Sequence, residues 1–291
     1  MRNVLVIGLS KSGTTIIASV IQKSIIDARF FVEPQKVAHL EKLGRFTVPW
    51  VVKIIYEHWM DRPFLLDGIV RGETGFSPDR AIAIIRDPRD AVISGLMYRA
   101  YKCVLDGGSS QQVNEWLDVM REKEANPERY SLIELNSRFC SAFHVTDTVD
   151  AYFEAFVKYT SWINDNRAHV YVLKYEDFVA GRTTDLSANL GIELSDDREV
   201  DASLHRVQRT KRSGRWRAIM LPEDVAYLRP RYGAVLAEHG YDGWDLVPDR
   251  LNSAEGSDYV VRITREAFLT RAQRSGRQST PPGFAHSADT R

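Results

Sequence analysis

Two short stretches carry residue types whose spacing suits phosphate chemistry. The first is GLSKSGTT, Gly8 to Thr15, which follows the apolar run Val4-Leu5-Val6-Ile7. A glycine loop between a strand and a helix aims backbone N–H groups and an open helix N-terminus at one point, which makes an anion site. Gly8 and Gly13 stand where the nucleotide-hydrolase loop G-x-x-x-x-G-K-[ST] has its glycines, but Thr14 takes the lysine position and Lys11 is the cation inside the loop. Such a loop can cradle a 5′-phosphate and still direct one positive charge at the oxygen that bridges it to a transferring group.

The second stretch is IRDPRDAVIS, Ile85 to Ser94, where Arg86 leaves a strand, Pro88 opens a helix and Ser94 follows Arg86 by eight residues. Arginine offers a planar fork of donors and serine a hydroxyl, so the two could meet a second phosphate. Taken alone, Arg86, Asp87, Arg89 and Asp90 read first as a solvated ion-pair cluster at a helix start; the presence of the glycine loop is what turns the reading toward an anion site. Phosphoryl donors usually need Mg²⁺ held by an acid at a strand end. Here Ile84-Ile85-Arg86-Asp87 presents arginine first, which favours a donor handled by protein cations, with no metal.

These residues need strands and helices to place them. Four apolar, β-branched runs predict buried strands at Asn3–Ile7, Val48–Ile55, Ala81–Ile85 and Val170–Leu173. Between them the spacing predicts helices over Gly13–Ile26, Pro88–Val104 and Thr146–Ile163, the last with Val149, Tyr152, Phe153, Phe156 and Val157 as a core face. Strands alternating with helices imply an α/β fold, a mostly parallel central sheet flanked by helices, like that of phosphate-loop nucleotide hydrolases, with ligands beyond the carboxyl ends of the strands. Residues 1–247 form the expected single domain. Residues 248–291 form a C-terminal extension rich in Ser, Gly, Pro, Arg and Asp, expected to be largely disordered at its end, with Asp258–Gln273 as a terminal helix or strand.

Bulk composition narrows the classes. The 291 residues hold 39 Lys+Arg and 39 Asp+Glu, so no global field draws nucleic acid or an anionic membrane. Two cysteines, Cys103 and Cys140, give no disulfide framework or zinc spacing and suit a reducing cytoplasm. The N-terminus MRNVLVIGLS is too short an apolar stretch for a signal peptide, and no run approaches the roughly 18 to 20 apolar residues of a membrane span. The expectation is a soluble, cytoplasmic protein.

With both anion segments in this order, the chain resembles the sulfotransferases that use 3′-phosphoadenosine 5′-phosphosulfate (PAPS). SKSGTT is similar to their 5′-phosphosulfate loop and IRDPRDAVIS to their 3′-phosphate segment. The resemblance implies that Lys11 contacts the phosphosulfate, that Ser12, Gly13, Thr14 and Thr15 surround the 5′-phosphate, and that Arg86 and Ser94 take the 3′-phosphate. VYVLKYEDF, Val170 to Phe178, is similar to the family's strand ending in Tyr-Glu-Asp, which assigns Tyr175 to the adenine. RTKRSGRW, Arg209 to Trp216, resembles the basic segment over the 3′-phosphate, with Arg209, Lys211, Arg212, Ser213 and Gly214 as its candidates. This segment departs from the common Gly-Asp-Trp pattern at Arg215, and Ile16 stands where the family has an aromatic residue after Thr-Thr.

The implied reaction is in-line attack of an acceptor hydroxyl, or an amine, on sulfur. Preorganised Lys11 and loop N–H groups would supply the largest catalytic effect. Many family members carry Lys-x-His on the second strand; VVKIIYEHW keeps the lysine as Lys53 but has Ile55 at the histidine position, leaving Glu57 and His58 as the nearest candidate bases. The acceptor, a small molecule, glycan or lipid, would be bound by Ala28–Arg45 and Gly107–His144. A phosphate-loop kinase or hydrolase, and a nucleotide-binding protein without catalysis, remain open at this level.

Overall fold

The computed structural model describes residues 3–43, 47–207, 212–247 and 251–278. In chain order its elements are β1 (Asn3–Gly8), α1 (Thr14–Lys23), β2 (Arg29–Val32), α2 (Val37–Leu43), β3 (Trp50–Ile55), α3 (Pro63–Val70), β4 (Arg80–Ile85), α4 (Pro88–Leu105), α5 (Ser110–Ala125), α6 (Leu132–Phe143), α7 (Val149–Asp165), β5 (Tyr171–Lys174), α8 (Tyr175–Val179), α9 (Thr184–Leu190), α10 (Pro222–Glu238) and α11 (Ser257–Gln278). The five strands form one sheet in the order β2-β3-β1-β4-β5, and all four pairings are parallel. This is the expected α/β class.

Both faces of a parallel sheet are covered by helices, so its strands lack a polar side. Along β1 the side chains alternate between two cores. Val4 and Val6 join Ile17, Ala18 and Ile21 of α1, whereas Leu5 and Ile7 join Phe153, Phe156 and Tyr159 of α7. All of these are buried to within 2%. The chain leaves β1 toward β3 and later crosses to β4, so the switch in strand order lies beside β1, and the crevice beyond its carboxyl end is the expected ligand position. Register brings Gly8 level with Ile55 and Ile84 there.

β2 is absent from the sequence expectations because it is a four-residue edge strand, RFFV, with part-exposed side chains and so no continuous buried run. α7 starts at Val149 with Thr148 as its cap. Of the face expected from its spacing, Val157 is 39% exposed. Segment 107–144 is filled by α5 and α6, each opened by a capping box. α11 packs along α4, burying Tyr259, Val260, Ile263 and Ala267. Arg271 closes that contact by donating to the carbonyls of Val104 and Gly108, both at 2.8 Å.

Candidate active site

The loop between β1 and α1 is closed by hydrogen bonds of its own. Lys11 has φ 61° and Gly13 φ 91°, and the Ser12 N–H and hydroxyl both donate to Leu9 O, at 3.2 and 2.7 Å. Gly13 begins α1 with no side-chain cap and no acid in the first turn, so nothing there competes with an anion for the helix N-terminus. Glycine is obligatory at both ends of the loop. A Cβ on Gly8 would lie 2.6 Å from Ser12 Oγ, and one on Gly13 would lie 2.2 Å from Tyr175 Cδ2. Tyr159 and Tyr152, reaching across from α7, donate to the carbonyls of Ile7 (2.9 Å) and Ser10 (2.7 Å). Burial holds both hydroxyls well above the usual tyrosine range, so they remain donors.

The Arg86 to Ser94 segment is not a solvated charge cluster. Arg86, Asp87, Arg89 and Asp90 are all at most 7% exposed. Asp87 caps α4 and pairs with Arg89, which also donates to the Tyr241 carbonyl at 3.0 Å and lies over Trp216 at 3.8 Å. Asp90 accepts from the N–H groups of Gly214 and Trp216. Burial raises its carboxyl above the usual range, against the pull of Arg86. These internal pairings leave Arg86 aimed elsewhere. It donates to Lys11 O at 2.7 Å and stacks on Tyr175 at 4.4 Å, while its buried Nε has no hydrogen-bond partner among the described residues. A buried donor without a partner is costly, and an anion would satisfy it.

Arg86, Ser94 and Tyr175 line one cavity of about 680 Å³ together with Lys11, Gly13, Thr14 and Thr15. Ser12 sits behind this wall, turned back to Leu9. Lys11 reaches toward α4. Its stem lies near Gly95 and its Nζ is 4.0 Å from the centre of the Tyr98 ring. At the other end Arg198 lines the cavity, donating to the Phe178 carbonyl at 2.9 Å. In the basic segment, Arg209 and Lys211 lie outside the described residues. Arg212 is near Glu255 at 3.9 Å and is largely exposed, and Gly214 has φ 77°. Among the described residues of this segment none lines the cavity; Asp90 ties Gly214 to the start of α4.

Lys53 is 5% exposed within β3 and donates to Thr15 Oγ1 at 2.9 Å and to Glu33 at 2.6 Å. Beyond Ile55 the strand turns into a short 3-10 segment, Tyr56–His58, which separates the two candidate bases. Glu57 turns to the loop and accepts from the Ser10 N–H at 2.8 Å and the Ser10 hydroxyl at 2.6 Å. Burial pushes its carboxyl up, and the Ser10 bonds pull it down. His58 is exposed and lines the cavity, whereas Glu57 does not. Glu33, Tyr98 and Arg198 were not singled out in the sequence because none belongs to a phosphate-loop pattern, and Tyr152, expected only on a core face, also lines the cavity. Segment 28–45 contributes Glu33 and Gln35 to the lining, and segment 107–144 contributes Asn136.

Among the described residues no group of three or more His, Cys, Asp and Glu gathers as a metal site, and no helix is long and apolar enough to cross a membrane. No protein-family model matches the sequence, and no curated protein matches it. Among solved structures the chain is similar to that of mouse sulfotransferase SULT7A1 complexed with PAP, at 15% identity and a TM-score of 0.47, over 83% of this chain and 87% of that one.

Proposed function

We propose that this protein is a PAPS-dependent sulfotransferase that moves a sulfuryl group to a hydroxyl or amine of a small-molecule, glycan or lipid acceptor in the cytoplasm. The observation that carries this reading is the convergence of two separate anion segments on one cavity: the Gly8–Thr15 loop with Lys11, and Arg86 with Ser94, together with Tyr175. A nucleotide with phosphates at both 5′ and 3′ positions asks for such a pair. The buried Arg86 Nε without a partner and the uncapped start of α1 fit it.

When bound, the donor supplies a sulfuryl group on a phosphate oxygen. Gly13, Thr14 and Thr15 hold the 5′-phosphate at the start of α1, and Arg86 and Ser94 hold the 3′-phosphate. Tyr175 packs beside the base, and Arg209, Lys211, Arg212, Ser213 and Gly214 stay the basic segment assigned to the 3′-phosphate. Lys11 answers the charge that grows on the bridging oxygen, and the Tyr98 ring beneath its Nζ helps to hold it there. Removing one such preorganised donor lowers kcat by about 100 to 1,000-fold.

The test is transfer of labelled sulfate from PAPS to a panel of hydroxylated acceptors, with and without chelator. Chelator-resistant transfer that drops about 100-fold or more in Lys11→Ala is the expected result. Calorimetry should also show adenosine 3′,5′-bisphosphate binding at least about tenfold tighter than AMP, as a charged hydrogen bond of about 1.5–3 kcal/mol requires. Equal affinities would refute the reading, since Arg86 and Ser94 would then have no 3′-phosphate to hold.

A further inference from the structure

The cavity contains an acid whose backbone is held in an unfavourable conformation. Glu33 follows β2 with φ 52° and precedes Pro34. Non-glycine residues seldom take positive φ, and a residue before proline prefers extended geometry. Strain of this kind persists where its surroundings impose it, and it gathers at functional sites. Here Lys53 imposes it from both ends. Its carbonyl accepts from the Glu33 N–H at 2.8 Å, and its Nζ donates to Glu33 Oε1 at 2.6 Å.

The same Nζ donates to Thr15 Oγ1 at 2.9 Å, so the Glu33 carboxylate stands two hydrogen bonds from the first turn of α1. Its side chain is 36% exposed and lines the same cavity as Lys11 and Ser94. The Glu33 charge reaches Tyr98, whose hydroxyl is raised by burial first and by Glu33 in the same direction; the Tyr98 ring is the one beneath Lys11. Both Glu33 and Glu57 are hydrogen-bonded, but Glu57 stands off the cavity wall.

We propose that Glu33 is the catalytic general base, positioned by Lys53; this rests on the sulfuryl-transfer reading above. The acceptor O–H bond breaks and its proton passes to Glu33, while the acceptor oxygen forms its bond to sulfur. The bond from sulfur to the bridging oxygen breaks, and that electron pair stays on the phosphate oxygen beside Lys11. The proton then leaves Glu33 to solvent.

Full-length wild type, Glu33→Gln, Lys53→Arg and Lys53→Met are compared by calorimetry with adenosine 3′,5′-bisphosphate, by thermal melting, and by consumption of labelled PAPS with water, glucose or 4-nitrophenol as acceptor. Glu33→Gln should melt like wild type and bind the bisphosphate within about twofold, yet turn over with water or glucose at least about 100-fold more slowly. With 4-nitrophenol, largely ionised without help, the loss should be under about tenfold. Lys53→Arg should keep more of the rate than Lys53→Met. An equal loss with all acceptors, weakened bisphosphate binding in Glu33→Gln, a wild-type rate in Glu33→Gln, or equal rates in the two Lys53 variants would overturn the assignment. A wild type that neither binds the bisphosphate nor consumes PAPS would instead overturn the transfer reading, and the base with it.

Discussion

Replacing Gly13 by alanine should disturb the site through two separable effects. Gly13 has φ 91°, and a Cβ there would lie 2.2 and 2.4 Å from Tyr175 Cδ2 and Cε2. Left-handed backbone costs an L-residue about 1–2 kcal/mol. Forcing a methyl into the Tyr175 ring, which is 6% exposed, adds about 1–3 kcal/mol of overpacking. The expected loss in Gly13→Ala is therefore about 2–5 kcal/mol, read by urea titration as a lower midpoint at unchanged slope. A double-mutant cycle with Tyr175→Ala separates the parts. Removing the ring abolishes the overlap but not the φ cost, so the coupling should be about 1–3 kcal/mol in favour of the double variant. Because Tyr175 backs Arg86 at 4.4 Å, the single variant should also bind adenosine 3′,5′-bisphosphate more weakly. Stability within about 0.5 kcal/mol of wild type, or strict additivity in the cycle, would refute the packing argument.

Two further expectations come from buried carboxylates. Asp90→Asn keeps the shape but loses the charge that holds the N–H groups of Gly214 and Trp216. The folded chain should lose about 1.5–3 kcal/mol, as for a charged hydrogen bond, read as a lower urea midpoint at unchanged slope; a wild-type midpoint would contradict the bonding. Glu57 has a folded pKa above its ordinary 4.5, chiefly through burial. The folded chain then holds that proton more tightly than the unfolded one, so Glu57 favours folding most at low pH and this contribution is lost as pH rises through the raised value. As pH rises above about 4.5, the urea midpoint of wild type should therefore fall relative to that of Glu57→Gln; a difference constant with pH would contradict the assigned shift.

Much of this architecture is local and therefore readable in the chain. Runs such as Val4–Ile7 and Ala81–Ile85 have no polar side because both faces of a parallel sheet are covered, and that signature does not depend on what covers them. The phosphate-type loop is equally local. Gly8, Lys11 and Gly13 lie within six residues, and the positive φ at Lys11 and Gly13 arises inside the turn they form. Pro88 at the first turn of α4 and the eight-residue step from Arg86 to Ser94 belong to the same class of signal.

What the chain could not disclose is which charged groups face each other across elements far apart in sequence. Asp87, Arg89 and Asp90 resemble a surface cluster until residues 214–216 and 241–244 fold onto them and remove them from water. Glu57 and His58 are neighbours in sequence, yet the 3-10 turn sends one to brace Ser10 and the other to the cavity wall. Glu33 has no motif at all, and it joins the site only because β2 pairs with β3 in the register that sets Val32 beside Lys53. Sequence by itself determined the strand-loop-helix units of the candidate anion sites, since those rest on local backbone geometry. Tertiary structure alone decided where the remaining charges point, because an ionisable side chain is directed by its partners and its burial, and both come from distant parts of the chain.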